Sequence, residues 1–314
     1  MSTVTGGDTP DPAPRMVVAI VGFGDLGSRW ASELAAQPGL LVRAYLPAEA
    51  ASRRSGLAER RARFAGVKPQ DRLEPVLAGA GMVIAAVPSA ASPRAAAVCA
   101  PLMEQGTVYV DPSSSAPETK AQNAEVVSAA GALYVDAAVL GTATLSGLAV
   151  PLLAAGPGAP RFTEIAGRIG MDVVPAGLVP GDAARAKLIR SVYMKGRDAL
   201  LVEMLEAAET AGVRRLVVES IARAPGEQVT FDRLVERVLP ALSLHAERRA
   251  DELCDAAEVL DLLGVAPGMT RAAAERLRAM AAIEEVRRMA GAEGAPSADE
   301  VAAALARARE PRGA

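Results

Sequence analysis

Apolar and polar positions follow two regimes along the chain. Up to about Val179, short apolar runs bounded by Gly, Pro or charged residues alternate with stretches of helical period. The runs at 16–21 (MVVAIV), 40–45 (LLVRAY), 82–87 (MVIAAV), 107–110 (TVYV) and 133–135 (LYV) read as strands. Residues 27–37, 95–103 and 118–130 read as intervening helices, and 53–64 as a charged helix or loop. Residues 150–155 and 172–174 add candidate strands. Strand–helix–strand order at this spacing predicts an α/β fold, a parallel sheet with helices on both faces.

Beyond Val179 the strand signals stop. Pro180-Gly181-Asp182 offers a break and an N-cap, and one long helix fits 183–211 before Gly212. Further helices fit 231–239, 243–263, 270–290 and 297–309, the last opening on the capping box Ser297-x-x-Glu300. The expected organisation is a disordered arm over 1–14, an α/β domain over 15–179 and an all-helical domain over 180–314.

Chemistry enters at Gly22-Phe23-Gly24-Asp25-Leu26-Gly27, which follows a strand and opens a helix. G-x-G-x-x-G in that setting is the dinucleotide fingerprint of a Rossmann domain. Gly22 permits the tight turn, Gly24 lets backbone approach a pyrophosphate, and Gly27 lets helix pack on strand. A tight turn without a ligand is the alternative. NAD-binding domains usually place an acid at the end of the second strand to hold the ribose hydroxyls. Leu46 stands there instead, with Arg43, Arg53 and Arg54 nearby as candidates for a 2′-phosphate and Glu49 for a ribose. The pattern favours NADP over NAD.

The chain has four lysines, and Lys187 and Lys195 lie on the long helix. At 100° per residue Lys187, Ser191, Met194 and Asp198 share a face. A half-buried lysine there is a candidate proton donor or acceptor, since burial lowers its pKa; a solvated polar face is the alternative. Farther on, His245 and Arg248 lie one turn apart. Arg248 and Arg249 can hold a carboxylate or phosphate, or Arg248 can simply pair with Glu252.

Composition narrows the classes. Hydrophobic residues at 51% and charged residues at 23% support a large core, and 3% aromatics make it aliphatic. A net charge of −3 offers no basic field for nucleic acid. Cys99 and Cys254 are too far apart for metal spacing or a disulfide framework, and His245 is the single histidine, so no metal is expected. The absence of a signal peptide and of an 18-residue apolar run predicts a soluble cytoplasmic protein. Apolar and Ala-rich helical faces predict a homodimer.

These segments resemble the β-hydroxyacid dehydrogenase and 6-phosphogluconate dehydrogenase superfamily. The closer likeness is to oxidoreductases whose helical C-terminal domain is labelled DUF1932. The resemblance runs from about Val17 to Met289 and rests on GFGDLG at Gly22, AVPS at Ala86, DPSSSAPET at Asp111, YVDAAVLGTATLSGLAVPLLAAG at Tyr134 and AKLIRSVYMKGRDALLVEMLEAAETAGV at Ala186. It implies a catalytic lysine at Lys187, a loop under the nicotinamide at Val87, Pro88 and Ser89, and Ser113 and Ser114 near nicotinamide and substrate. It also implies a substrate loop at Leu140, Gly141 and Thr142, with Leu140 where a serine is usual. Ser191 stands where Asn is common, and Met194 where phosphogluconate enzymes carry a glutamate acid, which argues against the decarboxylating reaction. With Lys195, His245 and Arg248 these residues form the expected substrate set. The expected activity is NAD(P)-dependent hydride transfer to or from a small hydroxy or oxo acid, in a homodimer formed through the helical domain. An imine or enamine reductase and a non-catalytic NADP-binding sensor are the alternatives.

Overall fold

Alternation along the strands closes two cores, one on each face of a single sheet. The computed structural model describes residues 16–48, 66–141, 146–224, 229–290 and 295–308. Seven strands, β1 (Met16–Val21), β2 (Leu40–Tyr45), β3 (Ala80–Ala85), β4 (Val108–Asp111), β5 (Leu133–Val139), β6 (Leu152–Ala155) and β7 (Val173–Pro175), lie in the order β2-β1-β3-β4-β5-β6-β7. Val18, Ile20, Met82, Ile84, Val110 and Val135 face one side, under Trp30 and Leu34 of α1 (Asp25–Ala35) and Phe162 of a helix at Ala159–Arg168. Ala19, Val21, Val83, Ala85, Tyr109 and Tyr134 face the other. There they meet Ala96 and Cys99 of a helix at Ser92–Cys99, and Ala124 and Val127 of a helix at Pro117–Ala129. Period-two burial on both faces is what near-continuous apolar strands require.

Two expectations about this sheet change. β3 starts and ends two residues earlier, because the amides of Ala86 and Val87 turn back onto the carbonyls of Ile84 and Ala85. AVPS is therefore loop, not strand. The sheet is not wholly parallel: β6 runs antiparallel to β5, its return tied by the Leu140 amide on the Pro151 carbonyl at 2.8 Å. Apolar runs mark strand positions but not strand direction. The arm at 1–14 and the stretch 53–64 lie outside the described residues.

The chain divides into two compact units, one ending at Arg190 and one beginning at Ser191. The division falls inside the long helix, Asp182–Thr210. Every regular element among the described residues of the second unit is a helix. Its helix Phe231–Leu262 runs unbroken through Pro240, where two helices were expected. Leu239 and Leu242 on either side of the proline pack against the core of Met280, Val286, Val301 and Ala304, and this packing outweighs the lost backbone bond. Gly268–Ala281 and Glu284–Ala290 replace the single helix expected over 270–290. Glu203 accepts from the amides of Met269 and Thr270 and from the Thr270 hydroxyl, capping the helix that starts at Gly268. The capping box at Ser297 and Glu300 forms as expected. Among the described residues no helix is long and apolar enough to cross a membrane.

Phe162 is fully buried in the larger core. Phe162→Ala is expected to cost about 3–5 kcal/mol of stability, read as a fall in the urea midpoint at unchanged slope.

Candidate active site

Three loops meet at the carboxyl ends of β1, β3 and β4. β1 and β3 are the neighbours where strand order reverses, so the crevice between them is the expected ligand position of an open α/β sheet. The first loop is the glycine motif. Gly22 has φ +96°, and its amide donates to the Tyr45 carbonyl at 3.0 Å. A Cβ on Gly22 would sit 2.5 Å from the Ala86 carbonyl oxygen, and one on Gly27 would sit 2.1 Å from that of Gly22. The protein's own packing thus accounts for both glycines. A Cβ on Gly24, at the N-cap of α1, would meet nothing within 4 Å. Its bareness serves no internal contact. An open backbone approach at a helix N-terminus fits the pyrophosphate of a dinucleotide.

The neighbouring residues divide between ligand and core. Phe23 is buried in the core, so only its backbone faces the motif's ligand side; Asp25 is exposed and Leu26 partly buried. Leu46 is partly buried against the same core and offers no carboxylate to a ribose. Arg43 is turned away from the 2′-phosphate role by its own contacts: its guanidinium donates to the carbonyls of Pro75 and Ala78 at 3.1 and 2.7 Å. Arg53, Arg54 and Glu49 lie outside the described residues. Val87 packs beside Gly22, and the Ser89 carbonyl accepts from the Ser115 hydroxyl at 3.2 Å, which joins the second loop, Val87-Pro88-Ser89, to the third.

The third loop, Ser113-Ser114-Ser115, is built on a buried ion cluster. Asp111 Oδ1 accepts the Ser113 amide at 3.0 Å. Its Oδ2 accepts from Ser92, Asn123 and Tyr134 at 2.7, 3.2 and 2.9 Å. The Lys120 ammonium, wholly buried, lies 3.0 Å from Asp111 Oδ1 and 3.5 Å from Asp136 Oδ1. Asp136 Oδ2 in turn accepts the amides of Gly181 and Ala184 at 3.1 and 2.9 Å, capping the helix that carries Lys187. Burial alone would raise the Asp111 carboxyl, but Lys120 and the bonds from Ser113 and Ser92 outweigh it and hold it below the usual range. For Asp136 burial prevails and the carboxyl is pushed up, against Lys120 and the Ala184 amide.

Lys187 is half-buried, and its ammonium donates to the Ser114 hydroxyl at 2.9 Å. Desolvation, followed by the positive charges of Lys120 and Arg190, lowers its pKa, while Asp136 opposes the shift. A lysine so placed beside the strand-end loops can give or take a proton. Ser113 and Ser115 share a hydrogen bond at 2.8 Å, so Ser114 is the hydroxyl of this loop that meets Lys187. The first unit thus assembles Lys187, Ser113, Ser114, the glycine loop and the 87–89 loop. Leu140 and Gly141 follow β5, with Leu140 partly buried and Gly141 exposed; Thr142 lies outside the described residues. Ser191, Met194, Lys195, His245 and Arg248 belong to the second unit. There Lys195 and His245 are exposed, and Arg248 pairs with Glu252, the surface pairing that its spacing also allowed.

Lys120, Asp136 and the side chain of Asp111 are the members that the sequence pattern did not single out. One available signal was a lysine one turn before Ala124 and two before Val127, on a helix between two aspartates that each follow an apolar run. Among the described residues no group of three or more His, Cys, Asp and Glu side chains is placed to hold a metal ion.

Residues 17–160 match the NAD-binding domain of 6-phosphogluconate dehydrogenase, and residues 208–280 match a domain of unknown function, DUF1932. A conserved hypothetical protein from Sinorhizobium meliloti is 30% identical, covering 94% of this chain and 97% of its own, with a TM-score of 0.57. The chain belongs to this family of 6-phosphogluconate dehydrogenase-like proteins with a DUF1932 domain. Two more distant structures share the fold. A 3-hydroxyisobutyrate dehydrogenase from Mycobacterium tuberculosis with L-serine is 18% identical over 85% of this chain and 94% of its own, at a TM-score of 0.57. A reductive aminase from Aspergillus terreus, in complex with NADPH and ethyl levulinate, is 15% identical over 94% and 100%, at 0.69. A curated 28.5 kDa protein from Methanothermus fervidus is 25% identical over 148 residues, and the match spans 56% of that protein's length. The family assignment gives the first unit a hydroxyacid dehydrogenase-like, NAD(P)-binding fold.

Gly24→Ala separates ligand from fold at the glycine loop. With open space at its Cβ, the variant is expected to keep its thermal midpoint while weakening NADPH binding by about tenfold or more, or about 1.4 kcal/mol. A thermal denaturation scan checks the first half of the expectation, and isothermal titration with NADPH the second.

Proposed function

We propose that the protein is an NAD(P)H-dependent oxidoreductase acting on a small hydroxy or oxo acid, with Lys187 as general acid and base. The observation that carries this reading is the half-buried Lys187 ammonium on Ser114, beside the three loops at the carboxyl end of the sheet. A bound nicotinamide dinucleotide supplies or accepts the hydride. Gly22, Gly24 and the N-terminus of α1 would hold its pyrophosphate, and Val87-Pro88-Ser89 and Ser113 would flank its nicotinamide half. In the reductive direction Lys187 Nζ gives its proton to the carbonyl oxygen as hydride reaches the carbon, leaving an alcohol and a neutral amine that solvent reprotonates. In the oxidative direction the neutral amine takes the hydroxyl proton. Ser114 orients Nζ, and Leu140, Gly141 and Thr142 would line the substrate.

NADP is the proposed cofactor, because Leu46 supplies no carboxylate to the ribose and Arg53 and Arg54 follow it in the chain. A homodimer through the second unit is proposed on the apolar side chains it leaves exposed, among them Val192, Val202, Leu216 and Leu262. Imine or enamine reduction is the second reading. It is favoured by the apolar Leu140 at the head of the substrate loop and by the fold shared with a reductive aminase. The same lysine would then protonate or deprotonate nitrogen instead of oxygen.

The test is Lys187→Met, assayed by NADPH absorbance against panels of oxo acids, hydroxy acids and cyclic imines. The expected loss is about 10²- to 10⁴-fold in kcat with NADPH affinity retained; full turnover in the variant would overturn the role. Reduction needs Lys187 protonated, so its rate should fall as pH rises through the lysine's pKa. Because burial lowers that pKa, the falling limb is expected below the ordinary lysine value of about 10.4. Oxidation should rise over the same range.

A further inference from the structure

Lys187 and its acceptor hydroxyl stand on the same buried charges. Asp111 fixes the loop carrying Ser114 through the Ser113 amide, and Asp136 caps the helix carrying Lys187 through the Gly181 and Ala184 amides. Ala184 lies three residues, about one turn, before Lys187. Lys120 joins the two carboxylates from a third element, with no exposure to solvent. Asp136 Oδ1 accepts no hydrogen bond from any described residue and faces the Lys120 ammonium instead.

We propose that Asp136 is the positioning residue of Lys187: one carboxylate oxygen anchors the first turn of the lysine's helix, and the other shares with Asp111 the balancing of the buried Lys120 charge that also acts on Lys187. This rests on the proposed role of Lys187 and adds how its proton affinity is set. The charges that act on Lys187 come from three elements. They are Lys120 on the helix Pro117–Ala129, Asp136 on β5, and Arg190 on the lysine's own helix. The Ser114 hydroxyl approaches from the loop after β4. Lys120 and Arg190 favour the neutral amine, and Asp136 favours the ammonium. A helix cap alone could be a serine or an asparagine. A carboxylate at this place does something that a neutral cap does not, because it cancels a cation buried behind the site.

Two variants move the balance in opposite directions. Asp136→Asn keeps an oxygen for the two amides and removes the charge, so Lys187 should lose its proton at lower pH, by about one unit. Lys120→Met removes the cation while Asp111 keeps its bonds from Ser92, Asn123, Tyr134 and the Ser113 amide. Lys187 should then hold its proton to higher pH. The readout is competitive acetylation of the full-length protein by acetic anhydride across pH, with the Lys187 peptide quantified by mass spectrometry and folding checked by circular dichroism. An unmoved Lys187 midpoint in folded Asp136→Asn overturns the proposal; if that variant does not fold, an unmoved midpoint in Lys120→Met does so. The labelling needs no turnover, so its outcome is separable from the fate of Lys187→Met in the assay above.

Discussion

A lysine with no exposure to solvent, held between two aspartates, is the constraint around which the first unit is arranged. Taking an ammonium and two carboxylates out of water costs several kcal/mol per ion, and their attraction repays this only where every remaining lone pair finds a donor. Asp111 meets that condition by drawing Ser92, Asn123, Tyr134 and the Ser113 amide to itself. Asp136 meets it at one oxygen, with two amides at the start of the long helix, while its other oxygen faces the Lys120 ammonium at 3.5 Å. Four elements are thereby brought into fixed register: β4, β5, the helix that holds Lys120 and the helix that holds Lys187. A purely apolar plug would serve stability as well. It would not place a hydroxyl and an ammonium 2.9 Å apart at the carboxyl end of the sheet.

The glycine loop divides its work in a similar way. Two of its glycines are explained from within, by carbonyl oxygens that a methyl group would strike, and the middle one is not. What the fold requires and what a ligand requires can thus be told apart residue by residue. The same distinction applies to arginines near the second strand. Arg43 is occupied by two carbonyls at the end of a short helix, so proximity in sequence to the second strand does not make it a phosphate ligand.

Much of this was legible in the sequence, for reasons that differ by element. The strands of the first unit were readable because both faces are buried, which leaves runs such as MVVAIV with no polar interruption. The glycine loop was readable because its constraints are local. Lys187 stood out by the scarcity of lysines and the polarity of its helix face. The antiparallel return of β6 was not readable, since it depends on pairing with β5 and not on its own residues. Pro240 misled because core packing on both sides of it outweighs one missing amide. The buried cluster was the largest omission. Asp111, Lys120 and Asp136 are separated along the chain and meet only when two strands and a helix are in place, and a sequence pattern weighs a charged residue as surface by default.

The proposed function requires the crevice between β1 and β3 to be a dinucleotide site, and direct binding tests it most simply. Purified protein titrated with NADPH and with NADH, followed by nicotinamide fluorescence, should bind NADPH more tightly by about tenfold or more. Binding of neither cofactor would contradict the account at its base.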